Sequence, residues 1–509
     1  MHILHTTAEI RNIEQSAAAV LPSGTLMARA GLAAANYALE LLPDDKNAAT
    51  ALILTGPGNN GGDALEVAAH LAHAGVQVSV LLYAQPDRQP ADAQRALKRA
   101  HLSPARFRDV TTIEVASSFI HSTKWSLIID GLFGIGLTKP ITGDLQTLVE
   151  TVNQLKCPVL ALDAPSGLDT DSGAIVGAGT ALRASHTISF IADKPGLHTL
   201  QGRDYAGQVM VASLNIEPQH YPAPHCWLNE IELFARSLKQ RPHDSHKGSY
   251  GNVAIVGGAH GMAGAPVLAA RAALQAGAGR VYPIFLDNAP AYDSAQPELM
   301  CRNAQDFDLS SAVLVVGPGL GQSRSAHDLL AQALTSRQPI VLDADALNLI
   351  AAEPRLQHRT QYRRDATLMT PHPLEAARLL GISSQQVQAD RLGAACKLAK
   401  QFNATVILKG SGSVIADPNG DTVINPTGNP ALATAGSGDV LAGICGALLG
   451  QSWAVRDAAL AACWLHGAAA DELVKQGIGP IGLSAGELIP AVRAGLNRLT
   501  AACGWHHGN

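Results

Sequence analysis

Short apolar runs alternate with segments of helical period through most of the 509-residue chain. An alanine-rich helical stretch over 8–42, broken at Pro22-Ser23-Gly24, is followed by runs at 51–55, 76–82, 127–129 and 158–162 that are largely apolar. Strands apolar on both faces belong in a parallel sheet covered by helices. Helical pattern over 62–74, 91–100 and 144–155 supplies the cover, and further strands are expected at 186–190 and 208–211. Prolines then crowd 217–225 and the periodicity stops, which marks a domain boundary. Beyond it, strands are predicted at 252–256, 312–316, 339–342, 366–369 and 405–408, with a hairpin of 413–416 and 422–424. Helices at 263–277, 374–380, 388–401, 438–449 and 456–475 fill the gaps. The pattern predicts an α/β chain of two layered domains, 1–222 and 228–505.

Composition narrows the function classes. A formal net charge of -5 offers nothing to nucleic acid or an anionic membrane surface. The seven cysteines (157, 226, 301, 396, 445, 463, 503) form no Cys-x-x-Cys pair, which suits reduced thiols. The opening residues Met1-His2-Ile3-Leu4-His5 carry no basic-then-apolar leader, and no stretch is long and apolar enough to span a bilayer. The expectation is a soluble cytoplasmic protein that acts on small molecules, with no nucleic-acid or membrane partner. Its alanine-rich N-terminal helices suit packing between subunits of a homo-oligomer.

Three glycine-bearing loops follow strands of the first half and converge on one edge of its sheet. They are Gly56-Pro57-Gly58-Asn59-Asn60-Gly61-Gly62-Asp63, Asp130-Gly131-Leu132-Phe133-Gly134-Ile135-Gly136-Leu137 and Asp163-Ala164-Pro165-Ser166-Gly167-Leu168-Asp169. Ligands of doubly wound sheets bind outside the carboxyl ends of strands. Gly61 and Gly62 permit close backbone approach, and the oxygens of Asn60, Asp130 and Ser166 suit a hard cation. Each aspartate has an alternative as a cap or turn former.

In the second half, Gly264 and Ala265 either pass close to a ligand or pack a helix on the sheet. Gly317-Pro318-Gly319-Leu320-Gly321 follows a strand, as does Asp343-Ala344-Asp345-Ala346-Leu347-Asn348, which can orient a ribose or cap a helix. His372 lies between Pro371 and Pro373 just before a helix. Lys409-Gly410-Ser411-Gly412-Ser413 is either an exposed turn or a phosphate loop with Lys409 as charge partner. In Ala435-Gly436-Ser437-Gly438-Asp439, small residues at a loop-to-helix junction favour an anion. Asp439 there is a first-turn cap or a base for a hydroxyl beside a transferring phosphoryl group.

The three loops of the first half resemble the signatures of NAD(P)H-hydrate epimerase, the N-terminal YjeF-type domain, whose fold is Rossmann-like. That resemblance implies that Asn59, Asn60, Gly61, Gly62 and Asp63, the run Gly134, Ile135, Gly136, Leu137, Thr138, Lys139 and Pro140, and Asp163 line a site for hydrated NAD(P)H. It implies K+ ligands at Asn60, Asp130 and Ser166. Asp163 is the candidate proton-transfer group. The second half resembles the ribokinase-like superfamily and, more closely, the C-terminal YjeF domain, an ADP-dependent NAD(P)H-hydrate dehydratase. This implies substrate contacts at Ala265, Gly319, His372 and Asp439, with Asp439 catalytic. It also implies an adenine-nucleotide site at Lys409, Gly410, Ser411, Gly412, Ser413 and Gly438, with ADP as co-substrate and Mg2+. The competing expectation is a ribokinase-like small-molecule kinase fused to a non-catalytic nucleotide-binding or scaffold domain, since the Gly-x-Gly-Asp loop is shared across that superfamily.

Overall fold

The computed structural model describes residues 1–109 and 112–504. It divides into two compact units: Ile3–Pro224, and a second that begins at His225 and takes in Met1–His2. No helix among the described residues is long and apolar enough to cross a membrane.

The first unit holds strands β1 (Thr50–Thr55), β2 (Gln77–Leu82), β3 (Arg106–Arg108), β4 (Leu127–Gly131), β5 (Val159–Leu162), β6 (His186–Phe190) and β7 (Gln208–Ala212). They pair in parallel in the order β3-β2-β1-β4-β5-β6-β7. Successive residues of β1 point to opposite faces: Ala51 and Ile53 enter one apolar core, Leu52 and Leu54 the other. Chain order reverses between β1 and β4, so a crevice opens at their carboxyl ends. Gly56 at the end of β1 lies so close to the Leu132 carbonyl that a Cβ would overlap it. The helix Thr25–Leu41 turns Ala30, Gly31, Ala34, Ala35 and Ala38 into the interior of its own unit. These small side chains pack within the unit, and Ala28, Leu32 and Asn36 lie on the exposed face of the same helix.

The second unit contains β8 (Cys226–Leu228), β9 (Asn252–Gly257), β10 (Arg280–Phe285), β11 (Arg302–Asn303), β12 (Val313–Val316), β13 (Ile340–Leu342), β14 (Thr367–Met369), β15 (Thr405–Leu408), β16 (Val414–Ala416) and β17 (Thr422–Ile424). Their order is β11-β10-β9-β12-β13-β14-β15-β16-β17-β8. Pairing is parallel from β11 to β15; β16 then pairs antiparallel with both β15 and β17 as the expected hairpin. The reversal of order here falls between β9 and β12.

Several elements differ from their expectation. The helix expected at 62–74 spans Asn59–His73, so Asn59, Asn60, Gly61 and Gly62 form its first turn. Glycine is tolerated there because space is short: a Cβ on Gly61 would overlap the Gly56 carbonyl, and one on Gly62 would lie 2.6 Å from Met27 Cε. The helix expected at 388–401 is two, Ser384–Ala389 and Arg391–Phe402, and Asp390 caps the second by accepting from Gly393 N–H at 2.8 Å. β10 went unpredicted because Pro283 lies inside it. β11 pairs only with Ile284 and Phe285, so Pro283 stands where that side of the strand has no ladder partner. The helices Arg324–Ala333, Ala344–Ala352, Pro354–Gln361 and Ala485–Gly504, together with Ile113–Ser122 and β3 of the first unit, were likewise not expected.

Candidate active sites

In the first unit a cleft of about 890 Å³ opens at the β1–β4 crevice. Asn59, Asn60, Asp63, Gly134, Ile135, Gly136, Leu137, Thr138, Lys139, Pro140 and Asp163 all line it, whereas Gly61 and Gly62 face the packing described above. Gly134 is where the walls converge. A Cβ there would lie 3.0 Å from Asp163 Oδ2 and 3.4 Å from Asn60 Cγ. Asp163 ends β5 in a left-handed conformation, φ 66°, which costs a non-glycine residue on the order of 1 kcal/mol. Its neighbours hold it there. Ile135 N–H donates to Oδ2 at 3.3 Å, Phe190 N–H donates to Oδ1 at 3.4 Å, and Lys194 Nζ pairs with Oδ1 at 2.8 Å.

Lys194 was missed by sequence reasoning. It is fully buried and also donates to Ser189 Oγ at 2.5 Å, with the Phe190 and Ala192 carbonyls each at 3.4 Å. Its signal was a lysine next to an apolar run, Ile191-Ala192-Asp193-Lys194-Pro195. Two more carboxyls crowd the same wall. Burial, then Asp163 and Glu14, pushes Asp63 well above the usual carboxylate range, and burial followed by Asp163 raises Glu14.

Asp130 and Ser166 sit beneath the cleft floor, fully buried. Ser166 donates to Asp130 from its hydroxyl (2.6 Å) and its N–H (2.8 Å), and Leu132 N–H adds a third bond at 3.2 Å. Burial outweighs these bonds and pushes Asp130 up to about 6. Both polar atoms of the Asn60 carboxamide are buried with no hydrogen-bond partner. A buried amide without a partner costs about 1–3 kcal/mol, which marks a place for a ligand.

In the second unit the loops after β9, β12, β13, β14 and β15 meet. Gly319 has φ 59°, its carbonyl accepts from Ala259 N–H at 2.8 Å, and a Cβ there would lie 3.2 Å from Ala265 Cβ. Asp439 lies in the first turn of the helix Ser437–Gly450, behind the left-handed Gly436. A Cβ on Gly436 would lie 2.6 Å from Leu268 Cδ1, on the helix that Ala265 opens, and 3.9 Å from Asp439 Oδ2. Lys409 Nζ is 2.8 Å from Asp343 Oδ1 and within 3.3 Å of where a Gly438 Cβ would stand. Ala265, Gly319, Lys409, Gly438 and Asp439 thus share one end of the sheet.

Charges there are coupled. Burial, then Asp343, pushes Asp439 up to about 6 against the pull of Lys409. Burial alone would lower Lys409, but Asp343 and Glu375 outweigh it and hold the ammonium above its ordinary value. Glu375, also missed, is raised to about 7 by burial. Asp343 stands at the N-cap position of the helix Ala344–Ala352, but its carboxylate makes no capping bond there and pairs with Lys409; Asp345 accepts from Gly321 N–H at 2.8 Å. His372 is a helix N-cap. Its Nδ1 accepts from Leu374 N–H at 3.1 Å, and its Nε2 lies 3.3 Å from Glu375 Oε1, so the ring nitrogens are engaged locally. Behind the Ser437–Gly450 helix start lies His466, whose Nε2 has no partner and whose ring burial pushes down to about 4.

The two halves have separate relatives in their patterns and shared ones along the whole chain. A family model described as YjeF-related protein N-terminus matches residues 23–196, and one described as NAD(P)H-hydrate dehydratase matches 253–490. A Coxiella burnetii bifunctional NAD(P)H-hydrate repair enzyme is 36% identical over 511 residues, 98% of this chain and 100% of its own. An Escherichia coli protein of the same description is 38% identical across 97% of this chain and 94% of its own. A Neisseria meningitidis ADP-dependent (S)-NAD(P)H-hydrate dehydratase is 47% identical over 52% of this chain and 92% of its own. Matched from end to end by these relatives, the chain belongs to the family of bifunctional NAD(P)H-hydrate repair enzymes.

Proposed function

We propose that the first unit, 1–222, interconverts the R and S epimers of hydrated NAD(P)H, and that the second, 228–505, dehydrates the S epimer at the expense of ADP. The observation that carries the second half is Asp439, a raised carboxyl at a helix start beside Lys409 and Asp343. The hydroxyl on C6 of the hydrated ring is a poor leaving group. Asp439 takes its proton while the oxygen attacks the terminal phosphorus of ADP, so that AMP departs and a C6 phosphate ester forms. The ring nitrogen then expels phosphate as the C6–O bond breaks, and loss of a C5 proton restores NAD(P)H. The N–H groups of the helix start hold the phosphoryl group. Residues 409–413 and Gly438 hold the nucleotide, and Ala265, Gly319 and His372 line the ring side. Among the described residues no three His, Cys, Asp or Glu side chains are grouped to hold a metal ion. Mg2+ bound with the nucleotide phosphates would neutralise their charge.

In the first unit, Asp163 takes the C6 hydroxyl proton, the C6–N1 bond opens to an aldehyde, and closure on the other face gives the opposite epimer. Asp63, whose carboxyl burial pushes well above the usual range, is the candidate donor to the ring nitrogen. The Asn60 carboxamide without a partner, the buried Asp130 carboxylate and the Ser166 hydroxyl are an all-oxygen set that fits K+. Bound there, the ion would offset the Asp130 charge and orient Asn60 at the cleft wall.

The test is Asp439→Asn in the full chain, assayed with S-NADHX plus ADP and separately for R-to-S interconversion. Dehydration is lost and epimerisation kept. Restoration of NADH at the wild-type rate by this variant would remove Asp439 as the base, and a stable phosphorylated product in place of free phosphate would make the second unit a kinase.

A further inference from the structure

Arg391 opens the helix Arg391–Phe402 and lies fully buried behind the 409–413 turn. Its guanidinium donates to the carbonyls of Leu408 (3.2 Å), Lys409 (3.3 Å) and Gly412 (3.3 Å), and to Gln388 Oε1 (2.7 Å). Glycine lets the turn lie this close. Gly410 has φ 145°, and a Cβ there would lie 2.8 Å from Arg391 Nη1. Gly412 is also left-handed, at φ 63°. All three carbonyls face one nitrogen, Nη2, while Nη1 turns to Gln388, so the planar group is held between the turn and the preceding helix. Within the turn Gly410 N–H donates to Ser413 Oγ at 3.3 Å, so the loop is held by its own hydroxyl as well as by Arg391. Burial pushes the guanidinium down to about 10, a sign of what it costs to keep a cation there. An apolar side chain of similar length would fill the space at less cost.

We infer that Arg391 is a positioning residue for the adenine nucleotide: it fixes the carbonyl side of the 409–413 turn so that the opposite side is preformed for the phosphates of a nucleoside diphosphate. This rests on the proposal that residues 409–413 hold ADP. Arg391 touches neither substrate nor phosphate. Its effect is to remove the ordering cost that a loose glycine turn would otherwise charge against binding. Gln388 belongs to the same device, because its Oε1 accepts from Nη1 and sets the tilt of the fork.

The experiment uses full-length Arg391→Met, Arg391→Lys, Gln388→Ala and Ser411→Glu, the last placing a negative charge on the exposed side of the turn. Dehydration of S-NADHX is measured with ADP and S-NADHX varied separately, and ADP binding by titration calorimetry. Arg391→Met should raise the KM and Kd for ADP about 10-fold or more, equivalent to ~1.4 kcal/mol of nucleotide binding. The KM for S-NADHX and the R-to-S rate should stay near wild type. Arg391→Lys and Gln388→Ala should fall between, and they carry the test if the methionine variant does not fold. Ser411→Glu should raise the ADP KM by direct repulsion. If Ser411→Glu weakens ADP while the Arg391 variants bind it normally, Arg391 has no positioning role. An equal loss in both KM values would make Arg391 a merely structural residue. If Ser411→Glu leaves ADP binding untouched, the turn is not the nucleotide site and the underlying proposal fails with the inference.

Discussion

Replacing Lys194 by methionine isolates the contribution of the buried pair at the epimerase cleft. The Nζ–Oδ1 separation of 2.8 Å corresponds to about 6 kcal/mol of attraction at an effective dielectric of about 20. Desolvation of both ions offsets much of this, and breaking one side of a buried pair typically costs about 3–5 kcal/mol. Asp163 keeps its bonds from Ile135 and Phe190 and is 13% exposed, so the low end of that range, ~3 kcal/mol, applies. For a unit of this size that lowers its melting transition by about 6–12 °C. Epimerisation should fall in parallel, because Asp163 loses the contact that fixes Oδ1 and leaves Oδ2 toward the cleft. The assay follows R-NADHX with excess ADP, using the chain's own dehydratase to report S-NADHX as it forms; S-NADHX supplied directly is the internal control. The double variant Lys194→Met with Asp163→Asn should melt higher than Lys194→Met alone, since neither charge is then stranded. A Lys194→Met protein with the wild-type transition and wild-type epimerisation would refute the reasoning.

Three other outcomes are expected. Because burial and Asp343 raise Asp439 to about 6, kcat/KM for dehydration should climb with pH through a midpoint near that value; a flat profile between about pH 5 and 7 would exclude Asp439 as the titrating base. Glu375 is raised from 4.5 to about 7, so the folded state binds its proton more tightly. The stability this gives is complete below about 4.5 and is lost as pH rises through about 7, by up to ~3 kcal/mol. Glu375→Gln should flatten that decline in chemical unfolding of the second unit, and an unchanged slope would count against it. Exchanging K+ for tetramethylammonium should lower both the melting point and the epimerase rate of the first unit, and Asn60→Ala should lose most of that difference. Equal K+ response in Asn60→Ala would move the ion elsewhere.

The alternation of apolar runs and helices made the parallel sheets legible, because strands such as β1 and β9 are apolar at nearly every position and have no other way to be buried. Loops that carry glycine beside acid were legible for the same reason: few structural tasks require both. What stayed hidden depends on distance in space. Lys194 meets Asp163 only once β5 and β6 lie side by side, and Arg391 meets Gly412 only once its helix packs on β15, so nothing in local spacing announces either. His372 carries a task that its two flanking prolines did not announce: its ring caps a helix, which His-Pro-Leu-Glu spells out once the capping box is considered. Pro283 hid β10 because a proline argues against a strand unless one side of it is already known to be unpaired.

The left-handed backbone at Asp163 has a consequence for how this chain can drift. Glycine at 163 would relieve the strain but strand a buried ammonium, and a neutral residue at 194 would strand the carboxylate. Each single step is therefore selected against on folding alone, whether or not epimerisation is needed. A lineage that abandons the reaction can escape only by changing both positions together, so across relatives Asp163 and Lys194 should be kept as a pair or lost as a pair.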